Sequence, residues 1–368
     1  MKIRLLLAVL LSIVILPSFA QKKNTAPPSP PKTEEAYKFT PVIELKATPV
    51  KNQSATQTCW SFATTSFIES ELLRMGKGEY DLSEMFIVRG NYIDKLKDNY
   101  LRQGKGNLGE GSLSHDWMRV FTEEGIVPDE VYSGLNYGSP THDHGELNSF
   151  INAVAAVPVQ RKKESDQYHQ IVSSVLDAYL GKVPETFTYK GVNYTPKSFA
   201  ESLGINPSDY IEITSFTQFP FYTQGILEVH DNWRMERFYN VTLDELIEIM
   251  DFSLNNGYTV NWDGDVSEKG FSHSKGVATF PEKNVTQEMR QTGYENFTTT
   301  DDHAMHLTGI VKDQTDTKYY ITKNSWGTER NPSGGYLNMS ENYVRTKTIF
   351  IMVNKSAIPP AIRTKLGL

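Results

Sequence analysis

The 368-residue chain has a single cysteine, Cys59, set in Asn52-Gln53-Ser54-Ala55-Thr56-Gln57-Thr58-Cys59-Trp60-Ser61-Phe62-Ala63. The spacing predicts a helix from Cys59 to about Arg74, with Trp60, Ala63, Phe67 and Leu72 near one face. Cys59 then falls in the first turn, where unpaired N–H groups and the helix dipole favour a thiolate. A thiolate nucleophile needs a partner base and a donor for the oxyanion it creates. Gln53, in the preceding loop, could offer its amide to that oxyanion. Asp301-Asp302-His303-Ala304-Met305-His306 opens a predicted strand, and His303 could take the thiol proton and later return it to a leaving amine. Lys323-Asn324-Ser325-Trp326-Gly327 closes the next strand. There Asn324 could hold the imidazole in one orientation while Trp326 covers the contact. Taken singly, these are a buried inert thiol, a core histidine and an ordinary turn. The order Gln, Cys, His, Asn weighs against all three.

The rest of the chain must place those residues. Composition, 39% hydrophobic and 22% charged, excludes a disordered chain, a collagen-like fibre and a coiled coil. A net charge of -7 without a basic cluster excludes a nucleic-acid partner. Lys2 and Arg4 precede an apolar run from Leu5 to Leu16, and Ser18-Phe19-Ala20 ends it. Residues 1–20 therefore read as a signal peptide cut after Ala20, leaving an exported chain, periplasmic or secreted, with no membrane span. A lone cysteine in such a chain permits no internal disulfide. Residues 21–37 read as a Pro-rich linker.

From residue 38 to 360 the pattern is one α+β domain. Helices are expected early, at Cys59–Arg74, Ser83–Asp98 and Ser114–Glu124, and again at Leu243–Asn255. Strands are expected late, at Tyr258–Trp262, His306–Lys312, Lys318–Lys323 and Thr348–Asn354. This divides the domain into a helical lobe, about 49–137, an irregular insertion, about 138–240, and a sheet lobe, about 241–360. Residues 361–368 form a short tail. Two acidic stretches resemble metal loops. His142 and His144 lie among acids but read better as a solvated loop, and Asp263-Gly264-Asp265 with Glu268 reads as a turn lacking calcium-ligand spacing. No metal or organic cofactor is expected.

The segment from Gln53 to Phe62, His303-Ala304-Met305 and Asn324-Ser325-Trp326-Gly327 together resemble the papain-like cysteine peptidases. Met305, the wide Cys-to-His gap, Gly335-Tyr336-Leu337-Asn338-Met339-Ser340 and Val353-Asn354-Lys355 resemble the bleomycin hydrolase and aminopeptidase C branch in particular. The resemblance runs from about Pro49 to Pro359. It implies a helical lobe and an antiparallel, barrel-like sheet lobe flanking a cleft. It also implies Cys59 as nucleophile, His303 as base and acid, Asn324 as the orienting residue and Gln53 as oxyanion donor beside the Cys59 N–H. Trp326 and Trp60 would support them. The substrate would be a peptide or protein, cleaved aminopeptidase-fashion or internally, and a hexameric ring is the branch's common assembly. A catalytically silent binding protein and a thiol acyltransferase are the competing readings. The chain departs from the family in having Gln57 where glycine is usual, and in the shortness of its C-terminal tail.

Overall fold

The computed structural model describes residues 37–368. The signal-peptide expectation for 1–20 and nearly all of the linker expectation for 21–37 lie outside them.

The helix Cys59–Arg74 forms with the predicted bounds but is not amphipathic. It is buried all round from Trp60 to Leu72, the mark of a helix at the centre of a protein. Its polar side chains are tolerated there because each finds a partner. Ser61 Oγ donates to the Glu84 carbonyl (2.9 Å), Trp117 Nε1 donates to Thr65 Oγ1 (2.9 Å), and Glu69 accepts from the Leu82 N–H (2.8 Å). Helices Glu84–Leu101, N-capped by Ser83, and Ser114–Glu124 pack beside it.

Residues 138–240 are more regular than the sequence led us to expect. They contain helices Gly145–Arg161, Asp166–Leu180 and Pro196–Leu203. Tyr168, Val172, Leu176 and Leu180 repeat every fourth residue and are all buried in the helical core, a helix signal masked by the polar residues between them. The stretch also supplies strands Tyr210–Thr214, Gln224–Ile226 and Arg237–Asn240, which extend the main sheet.

That sheet has eleven strands among the described residues. At its centre, strand His303–Lys312 lies antiparallel between Val260–Gly264 and Lys318–Lys323. Thr40–Glu44 also pairs with it. The lobe is mixed rather than wholly antiparallel, since Tyr336–Ser340 pairs in parallel with Val277–Ala278, and Tyr210–Thr214 with Arg237–Asn240. The central strand is buried on both faces. Ala304 packs into the helical core, while Met305 and Leu307 belong to the core under the sheet with Trp262, Tyr320 and Ile351. Alternation along a strand thus lets one segment join both cores. The C-terminal helix Pro360–Lys365 docks on the second core through Ile362 and Leu366, and Lys365 Nζ pairs with Glu245 (2.6 Å).

Two sequence expectations need correction. His144 is no solvated residue: it is fully buried, with its ring against Tyr92. Asp263 and Gly264 are not in a turn but at the end of strand Val260–Gly264. Gly264 is needed there because a Cβ would stand 2.2 Å from the Lys347 carbonyl oxygen.

Candidate active site

Cys59 is the first residue of its helix and is partly exposed. Thr58 precedes it with its carbonyl accepting from the Ser61 N–H (2.9 Å). Trp60 fixes this turn from below, its indole Nε1 donating to the Glu110 carbonyl (3.1 Å). Gln57 is exposed and does not adopt a positive φ, so the position has no backbone need for glycine. Its N–H donates to the Glu110 carboxylate (2.9 Å).

His303 arrives from the other lobe as the first residue of the central strand, almost fully buried. Its Nε2 is 2.7 Å from Asn324 Oδ1, which leaves Nδ1 as the nitrogen available for proton transfer. The Trp326 ring lies over the imidazole, with centroids 4.7 Å apart and planes at 35°. The backbone N–H of Ala304, the residue after His303, is near enough to the Cys59 sulfur to favour its thiolate form. Thiol, imidazole and amide therefore converge from positions far apart in the chain.

Gln53 joins the same wall. Its N–H donates to the Ser325 carbonyl (2.8 Å), and its Oε1 accepts from Ser325 Oγ (2.7 Å). One N–H of its amide goes to the Thr56 carbonyl (2.8 Å), so the other remains for a ligand. All six sequence candidates, Gln53, Cys59, Trp60, His303, Asn324 and Trp326, are thus placed by two short loops, one helix start and the start of the central strand.

Several neighbours escaped sequence reading. His273 Nδ1 is 3.2 Å from Asn324 Nδ2, and the His273 ring stands 5.2 Å from Trp326. Asn331 holds that loop by donating to the His273 carbonyl (2.8 Å). Below the site, Lys323 Nζ donates to Ser66 Oγ (2.8 Å) and Thr48 Oγ1 (3.1 Å), and His306 Nδ1 bonds Ser66 Oγ (2.9 Å). Lys51 pairs with Glu84 (2.9 Å) beside a small cavity lined by Ser66, Glu69 and His306. These contacts tie the two lobes together under the cleft. No local motif marks them, since each pairs residues distant in sequence.

Electrostatics departs from the expectation of a ready thiolate. Burial pushes the Cys59 thiol up to about 12; the N–H groups of Ala304 and Trp60 pull the other way, and the charges of Asp231 and Asp301 add to the rise. Burial likewise depresses His303 to about 4, against a smaller lift from Asn324.

A thiol at a helix start facing a histidine–asparagine pair across two lobes defines the papain-like class. Residues 153–367 match the model of the Peptidase C1-like family, and the chain belongs to that family. It is a papain-like cysteine-type peptidase. Aminopeptidase C of Lactococcus lactis subsp. cremoris is 24% identical over 373 aligned residues, covering 86% of this chain and 83% of its own length. Cysteine proteinase 1, mitochondrial, of Saccharomyces cerevisiae (strain JAY291) is 21% identical, over 89% of this chain and 79% of its own. The solved structure of PepW from Lactobacillus rhamnosis HN001 superposes with a TM-score of 0.68 at 20% identity, covering 89% of this chain and 84% of that one, a likeness of fold.

Proposed function

We propose that this peptidase hydrolyses peptide bonds through an acyl-enzyme on Cys59, acting chiefly at free amino termini. His303 Nδ1 takes the thiol proton as the sulfur attacks the substrate carbonyl, and returns it to the departing amine. The free amide N–H of Gln53 and the backbone N–H of Cys59 receive the oxyanion. Water activated by His303 then releases the acid from the thioester. Asn324 keeps the imidazole turned toward the sulfur, and Trp326 shields their bond from solvent. The observation that carries this reading is the 2.7 Å His303–Asn324 bond at the start of the strand whose next N–H, that of Ala304, lies near the Cys59 sulfur. Amino-terminal preference draws support from the aminopeptidase C relative.

The test is hydrolysis of fluorogenic peptides with free and acetylated amino termini, under a reducing agent, by the chain and by Cys59→Ala. Thiol-dependent cleavage that disappears in Cys59→Ala, faster on the free terminus, is the expected result. Equal cleavage by Cys59→Ala would sink the mechanism. Export rests on the pattern of residues 1–20 alone. Expression with the full leader, followed by amino-terminal sequencing of the product, should find Gln21 first.

A further inference from the structure

We propose that His273 is a positioning residue for His303: by accepting from the Asn324 amide it fixes which way that amide faces, and so which nitrogen of His303 is left to take the thiol proton. This rests on the thiol-peptidase reading above and adds a second imidazole to its site.

His273 opens a single tight turn, His273–Lys275, between strands Phe271–Ser272 and Val277–Ala278. The second of these pairs with Tyr336–Ser340, which in turn pairs with Lys318–Lys323, the strand that leads into Asn324. Asn331 settles the state of the His273 ring. Its amide nitrogen donates to the carbonyls of His273 (2.8 Å) and Tyr336 (3.0 Å). Its Oδ1 accepts from the N–H groups of Ser333 (2.7 Å) and Gly335 (3.1 Å). Those backbone partners fix the orientation of the Asn331 amide, whose nitrogen lies 3.5 Å from His273 Nδ1. Asn324 Nδ2 faces the same ring nitrogen at 3.2 Å. Flanked by two amide nitrogens that carry only protons to give, Nδ1 is the acceptor, which puts the proton of the neutral ring on Nε2. Burial lowers the pKa of His273 from the ordinary imidazole value and so favours that neutral ring.

Asn324 has two ways to sit. As found, its Oδ1 takes the His303 Nε2–H (2.7 Å) and the Ser325 N–H (2.7 Å), and its Nδ2 turns to His273. Turned over, it would offer an N–H to His303 Nε2, which could accept only with the ring proton moved to Nδ1. That tautomer presents an N–H toward Cys59 and keeps no lone pair there for the thiol proton. Two contacts oppose the flip, the Ser325 N–H on one side of the amide and the lone pair of His273 Nδ1 on the other. Asn324 is 2% exposed, so water does not replace the second of these when it is lost. Trp326 lies against both imidazoles, its ring centroid 4.7 Å from that of His303 and 5.2 Å from that of His273, and packs the three side chains into one unit. The tautomer of one histidine is thereby passed through a single amide to the other.

The test compares His273→Leu, which removes the acceptor, with His273→Asn, whose side-chain oxygen takes the place of Nδ1. Steady-state kinetics on one peptide amide with a free amino terminus should show kcat lowered about tenfold in His273→Leu, with KM within about twofold of the parent, and kcat restored to within about twofold in His273→Asn. Parent kcat in His273→Leu, a loss carried by KM, or equal losses in both variants overturns the assignment. His273→Ala stands in should His273→Leu fail to fold. Absence of Cys59-dependent cleavage overturns the peptidase reading instead, and the positioning is then read without turnover. In chains carrying nitrogen-15 histidine, the ring nitrogen resonances of His303, identified by their loss in His303→Ala, report its tautomer. The expected result is the Nε2–H form in the parent and in His273→Asn, and a mixture with the Nδ1–H form in His273→Leu. One tautomer in all three proteins, or an Nδ1–H parent, overturns the assignment.

Discussion

Replacing Asn324 by Asp keeps an acceptor 2.7 Å from His303 Nε2 but gives it a charge. The new carboxylate retains the Ser325 N–H as donor (2.7 Å) and loses the amide that faces His273. Two unit charges about 4 Å apart interact by about 4 kcal/mol at an effective dielectric of 20, roughly three pKa units. Burial of the new carboxylate takes back part of this, leaving a net rise of about one to two units for His303. The sign follows from which form is favoured: a neighbouring anion stabilises imidazolium, so the histidine, held near 4 by burial in the parent, titrates higher. If neutral His303 is the base, the acid limb of kcat/KM moves up in pH by that amount. The assay is kcat/KM for one peptide amide from pH 4 to 8 in both proteins at constant ionic strength. Asn324→Ala is the control, with activity down about tenfold or more and no upward move of the limb. An Asn324→Asp enzyme that is active with an unmoved acid limb would refute the assignment of that limb to His303.

Gln53→Ala should lower kcat by about a hundredfold with little change in KM, the pattern of a group that acts on the transition state; steady-state kinetics at saturating peptide checks it. Lys51→Met should cost about 3 kcal/mol in urea unfolding, because Glu84, 2.9 Å away and buried, loses its partner. Lys51→Met/Glu84→Gln should recover most of that loss. His144 is buried, neither ring nitrogen has a hydrogen-bond partner, Nδ1 stands 3.9 Å from the Glu110 carboxylate, and burial and the nearby His142 drive its pKa to about 4. The unfolded chain binds its proton first, near 6.5, so folded stability falls as pH drops from about 6.5 to 4. The stability of His144→Phe relative to the parent should therefore improve by about 2 kcal/mol between pH 7.5 and pH 5, read by urea titration at each pH.

Local signals carried much of this molecule, and their reach explains what they missed. Helices Cys59–Arg74 and Ser114–Glu124 and strands Lys318–Lys323 and Thr348–Asn354 were legible to the residue, since caps, glycines and periodicity are neighbours in sequence. Gln53, Cys59, His303 and Asn324 were legible because each sits in a short run of distinctive residue types. The helices between Gly145 and Leu180 were obscured because Phe150, Val157 and Ile171, apolar yet exposed, blur the line between their buried and solvent faces. His273 and Ser66 gave no signal, and Asp263 was read only as part of a turn, because their places depend on register and lobe packing.

The bond between Thr48 and Lys323, 275 residues apart in the chain, has a consequence for how the enzyme is made. Strand Thr40–Glu44 likewise has its partner in His303–Lys312. Cys59 is thus synthesised early and His303 late, and contacts of such long separation close slowly. On the proposed assignment, a nascent chain carries an unarmed thiol for most of its synthesis. Proteolytic competence then arrives only with the last strands, so an incomplete copy does not cleave its neighbours.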